Sequence, residues 1–103
     1  MSGTGSPGPE RTADGRHIVV DGRRWRATDP ELPGELAAAL RRELGRARSA
    51  IGRSREAEET ARLRGRVQVA KGGLGERGTP WWELPVQQRI ARAKDRLREL
   101  TDG

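Results

Sequence analysis

The chain has 103 residues, room for one domain, and a formal net charge of +6 from 21 Lys and Arg against 15 Asp and Glu. It has no Cys, which excludes disulfides, thiolate metal sites and thiol nucleophiles. With no Phe or Tyr and one Met, a core must come from Leu, Val, Ile, Ala and the tryptophans Trp25, Trp81 and Trp82. A domain this small buries a modest share of its surface, so self-association is one expected source of further burial. No run approaches the roughly 20 apolar residues of a membrane span. Met1 to Glu10 offers no apolar signal-peptide core, so a cytoplasmic protein without membrane contact is expected.

Met1 to Asp14 is polar and rich in Gly and Pro, which predicts a disordered tail over residues 1–14 and one small domain over 15–101. Asp21-Gly22 between two β-prone runs predicts a β-hairpin over residues 16–27 with a type I′ turn. That turn pairs Val20 with Arg23, Val19 with Arg24, Ile18 with Trp25 and His17 with Arg26. Alternation puts Ile18, Val20 and Trp25 on an apolar face that packs on the helices. His17, Val19, Arg24 and Arg26 fall on the other face, which is expected to meet solvent.

Thr28 or Asp29 can cap a first helical turn, and Pro33 suits the first position of a helix. Leu32, Leu36, Leu40, Leu44, Ala47 and Ile51 step by four and three, predicting a helix over residues 32–52. Ser54 is a candidate N-cap for a second helix over residues 54–73, with Ala57, Thr60, Leu63, Val67, Ala70 and Leu74 on one face and Gly72, Gly73 and Gly75 at its end. The short joint predicts an antiparallel helical hairpin; one long helix through Gly52 is the alternative. Val86, Ile90, Ala93, Leu97 and Leu100 predict a third amphipathic helix over residues 85–100. The expected fold class is α+β, mainly α, with a β-hairpin followed by a helical hairpin and a C-terminal helix.

Gly73-Leu-Gly-Glu-Arg-Gly78 matches G-x-G-x-x-G, but a helix precedes it and Thr-Pro-Trp-Trp follows. A dinucleotide site needs a strand before the glycines and a helix after them, so a helix stop and connector is the better reading. His17, the only histidine, cannot assemble a zinc site without Cys. Glu56, Glu58 and Glu59 suit a helix N-terminus, and Glu58 stands four before Arg62, a helical pair spacing. No nucleophile elbow is present. The expectation is a protein with no catalytic residues, cofactor, metal or small-molecule substrate.

The basic excess gathers in the hairpin (Arg16, Arg23, Arg24 and Arg26 against Asp21) and late in the second helix (Arg62, Arg64, Arg66, Lys71 and Arg77 against Glu76). Arginine's planar fork suits phosphates, and clustered Arg attracts nucleic acid through counterion release. Nucleic acid is therefore the first candidate partner, with Arg24, Arg26, Arg62, Arg66 and Lys71 on its phosphates. The alternative is a protein-interaction module or homodimer anchored on Trp81 and Trp82, since Trp is enriched at interface hot spots.

The runs His-Ile-Val-Val-Asp-Gly-Arg-Arg-Trp-Arg-Ala-Thr-Asp-Pro (His17 to Pro30) and Leu-Gly-Glu-Arg-Gly-Thr-Pro-Trp-Trp-Glu (Leu74 to Glu83) resemble those of a small uncharacterised family of high-GC bacteria often labelled "biopolymer transporter Tol". The resemblance implies no activity, cofactor or catalytic residue that could be carried onto this chain. The transport label finds no support in its residues.

Overall fold

The computed structural model describes residues 10–102. Asp21 and Gly22 take φ values of 52° and 76°, the left-handed pair that a type I′ turn demands. The turn joins two strands of a three-stranded antiparallel sheet, β1 (Glu10–Arg11), β2 (His17–Val20) and β3 (Arg23–Arg26), in the order β1-β2-β3. The β2–β3 register is the expected one, from His17 opposite Arg26 to Val20 opposite Arg23.

The first strand corrects the expectation of a disordered tail through Asp14. Glu10 pairs with Val19 and Arg11 with Ile18. Polar residues make this possible because they close a turn: the Thr12 hydroxyl donates to Asp14 Oδ1 at 2.7 Å and accepts from the His17 amide at 3.1 Å. Asp14 Oδ1 also accepts from the Arg16 amide at 3.0 Å. The rest of the expected tail lies outside the described residues.

Three helices follow: α1 (Gly34–Arg53), α2 (Ala57–Gly73) and α3 (Val86–Asp102). The first two are separate, so the single long helix does not form. Ser54 is not the N-cap of α2. Its amide bonds the Ile51 carbonyl and closes α1, while Glu56 takes the N-cap position. Pro33 likewise stands at the N-cap of α1, one place before the helix begins.

Gly73 at the end of α2 meets Leu40 early in α1, and Arg66 reaches Glu43, so α1 and α2 run antiparallel. Gly73 also meets Arg96, and Arg66 bonds the Leu100 carbonyl, so α3 is antiparallel to α2. The second helix packs on both others, and its apolar residues are accordingly spread around its circumference. Leu32, Ala37, Leu40, Leu44, Ala70, Leu74, Ala93 and Leu100 form the buried core, close to the expected stripes. Among the described residues, no helix is long and apolar enough to cross a membrane.

Leu74 and the glycines around it draw the sheet connection and α3 together. The Asp29 amide donates to the Leu74 carbonyl at 3.0 Å. Gly75 has φ +86°, and a Cβ there would stand 3.0 Å from Trp81 Cδ1 and 3.2 Å from Asp29 Cβ. The G-x-G element is thus a packing device in which backbone passes close under an indole. Trp81 and Trp82 lie in a 3-10 turn (Trp81–Glu83). Trp81 is buried, with its Nε1 donating to the Ala27 carbonyl at 3.0 Å.

Asp29 is buried beside this joint. Its Oδ1 accepts from the Glu31 amide at 2.9 Å and from Arg89 Nη1 at 3.3 Å. Arg89 also donates to the Leu84 carbonyl at 2.8 Å and stacks over Trp81.

Candidate nucleic-acid interface

The sheet does not turn one apolar face inward and leave a basic face free. Both faces find cover. On the side expected to meet solvent, the His17 ring lies 5.5 Å from Trp82, and Arg26 Nη1 donates to the Gly78 carbonyl at 2.9 Å. On the apolar side, Trp25 is only half-buried, between the Arg23 guanidinium at 4.6 Å and the Lys71 ammonium at 5.7 Å. Trp82 supplies a π surface that attracts His17 and Arg26, and the turn carbonyls need donors. Those two demands turn His17 and Arg26 inward, while Arg24 on the same face stays exposed.

The residues singled out from the sequence therefore divide. Arg24 is exposed, with no carboxylate within 4 Å among the described residues. Arg26 is held by Gly78 and Trp82. Arg66 is occupied with the Leu100 carbonyl at 2.8 Å and Glu43 at 3.6 Å. Arg62 lies 3.8 Å from Glu59, three residues away, in place of the expected Glu58. Lys71 is half-buried against Trp25; burial pushes its ammonium pKa down, and nearby Arg77 adds to that. Of these five, Arg26 and Lys71 line one cleft with Trp25 and Glu76, whereas Arg66 is turned to the end of α3. Trp81 belongs to the core, and Trp82 is half-buried under Arg16 at 4.9 Å.

A different set of arginines does converge. Arg89, Arg92 and Arg96 occupy one face of α3 by their spacing of three and four. The last two line an open cleft of about 610 Å³ with Arg77, Gln68, Gly72, Gly78, Thr79 and Glu99. The glycines keep its walls low: a Cβ at Gly72 would sit 3.6 Å from Arg96 Nε, and one at Gly78 3.9 Å from Arg92 Nη1. Arg77 is steadied by Gln68 Oε1 at 3.2 Å, and Arg92 donates to the Thr79 carbonyl at 2.8 Å.

Three guanidiniums face one carboxylate there, Glu99, which stands 3.9 Å from Arg96. Arg92 has no carboxylate within 4 Å among the described residues, and its buried Nε makes no hydrogen bond. Burial pushes the Arg92 pKa down, and Arg96 and Arg26 push it the same way, against a smaller opposing effect of the Asp29 carboxylate. Arginine stays charged regardless, so this is a crowded, under-compensated positive site. Arg26 stands near enough to Arg92 to lower its pKa, and both Arg26 and Arg16 lie by the Trp82 ring, so a band of arginines leads from the cleft to Trp82. The i, i+4 like-charge pair Arg92 and Arg96 is a sequence signal shared by Arg42 with Arg46 and Arg62 with Arg66, so spacing alone does not single this site out. No family model, curated protein or solved structure matches the chain.

Proposed function

We propose that this protein is a non-enzymatic accessory protein that binds nucleic acid by its phosphates, using the cleft of Arg77, Arg92 and Arg96 and the adjoining Arg26 and Arg16. The observation that carries this reading is Arg92, a desolvated guanidinium set among other cations without a carboxylate of its own. A phosphate oxygen placed in the cleft would accept from Arg92 and Arg96 together and relieve their repulsion. A chain of phosphates, unlike a single anion, would also use the positive surface beyond the cleft. The reading keeps the partner class expected from composition and moves its seat from α2 to α3. The protein-interaction alternative is weaker, because the Trp81 indole is buried and committed to the Ala27 carbonyl, which removes one of its two proposed anchors.

Fluorescence anisotropy of a labelled oligonucleotide of about 15 nucleotides at low salt tests the reading. Binding by the wild type that weakens about tenfold or more in Arg92→Gln/Arg96→Gln supports it, each lost phosphate contact carrying charge-assisted hydrogen bonds. No binding at low salt, or equal binding by the double variant, overturns it.

A further inference from the structure

The positive band contains an aromatic ring that phosphate binding does not require. Trp82 is half-buried at the middle of the band, its ring edge-on to Trp81 with a centroid separation of 5.2 Å and an interplanar angle of 86°. Trp81 and His17 hold it in place, and Arg26 touches it while bonded to Gly78. Arg16 is different. It is exposed, it lies 4.9 Å from the ring, and no carboxylate stands within 4 Å of it among the described residues. Trp82 therefore sits in a rigid mount under a replaceable cover.

We infer that the nucleic acid taken by this band is single-stranded, with one base stacked on Trp82 in the place that Arg16 occupies. This rests on the phosphate-binding reading above and adds what that reading leaves open, the class of strand. Magnitudes favour the exchange. An exposed cation–π contact contributes a factor of about 2 to 5 to an equilibrium, whereas a base stacked on an aromatic side chain contributes about 5 to 150. The displaced Arg16 is not lost, since its guanidinium can turn to the phosphate beside the stacked base. A duplex cannot make this contact, because its base faces are already stacked on one another. The stacking needs only a π face, so the preference is for unpaired bases and not for a sequence.

The test compares a base-bearing single strand with an abasic strand of the same length and backbone, measured on the wild type at one salt concentration. The base-bearing strand is expected to bind about fivefold or more tightly than the abasic one. In Trp82→Leu, confirmed as folded by circular dichroism, its affinity is expected to fall to that of the abasic strand on the wild type. Equal affinity of both strands for the wild type overturns the stacking inference while leaving phosphate binding intact. Failure of both strands to bind overturns both. A base preference that persists in folded Trp82→Leu removes Trp82 from the role, and equal affinities on the wild type overturn the stacking whether or not that variant folds.

Discussion

Replacing Gly73 with Ala tests whether the glycine run is a packing device. Alanine is the better helix former by about 1 kcal/mol in a helix interior, so the substitution would stabilise α2 if space allowed. Space does not allow it. The new Cβ would stand 2.9 and 3.0 Å from the two Leu40 methyls and 3.1 Å from Arg96 Cβ. Leu40 is fully buried and cannot swing aside, and Arg96 Cβ is fixed to the α3 backbone. Forcing such a contact costs about 1–3 kcal/mol, which exceeds the propensity gain, itself reduced at a helix end. Gly65, also in α2, has nothing within 4 Å of its would-be Cβ. Gly73→Ala should therefore lose about 1–2 kcal/mol and Gly65→Ala should gain about 0.5–1. At about 4–8 °C per kcal/mol for a domain of this size, the two melting temperatures should differ by roughly 6–24 °C in far-UV circular dichroism. A Gly73→Ala protein as stable as Gly65→Ala would refute the close packing of α1, α2 and α3 at this point.

Two further outcomes are expected. Arg89→Ala should destabilise the fold by about 3–5 kcal/mol in urea unfolding, because it strands the buried Asp29 carboxylate, whereas Arg98→Ala, which breaks only the exposed pair with Asp95, should change stability by less than about 0.5 kcal/mol; equal effects would contradict the burial of the Asp29 pair. The Asp14 pKa is held below its ordinary 3.8 by hydrogen bonds from the Arg16 amide and the Thr12 hydroxyl. A depressed carboxyl pKa stabilises its turn at pH above the unfolded value and loses that contribution as pH falls through the lower folded value. NMR titration should therefore show the Asp14 carboxyl and the Arg16 amide shifting together below pH 3.8, and a midpoint at or above 3.8 would contradict the turn.

Local rules made most of the fold legible. Asp21-Gly22 specified both turn and register because positive φ at two successive positions leaves few other conformations. The leucine stripe of α1 specified its inward face, since Leu40 and Leu44 are buried, although Leu32, expected to open the helix, is buried just ahead of its start at Gly34. What was not legible depends on residues distant in sequence. Thr12 and Asp14 look like tail composition until β2 stands beside them. The inward turn of His17 and Arg26 depends on Trp82 and Gly78, more than 50 positions further on. The same distance hid the candidate site, because Arg77 joins Arg92 and Arg96 only once α3 lies against α2, where Gly73 admits the close approach of Arg96. Composition pointed to phosphate, but charge counted along the chain could not separate Arg66, which bonds the Leu100 carbonyl and lies beside Glu43, from Arg92, which bonds the Thr79 carbonyl but has no carboxylate within 4 Å among the described residues.

The salt dependence of oligonucleotide binding is the most direct measure of where the phosphates sit. For a single strand, log K falls against log salt with a slope of about 0.7 per neutralised phosphate. Arg92→Gln/Arg96→Gln should shallow that slope by about 0.7 to 1.4, as one or two phosphate contacts are lost. Arg62→Gln/Arg98→Gln removes the same formal charge from arginines already paired with Glu59 and Asp95, and should leave the slope nearly unchanged. Equal shallowing by the two double variants would contradict a phosphate site in the α3 cleft and leave only diffuse attraction by net charge.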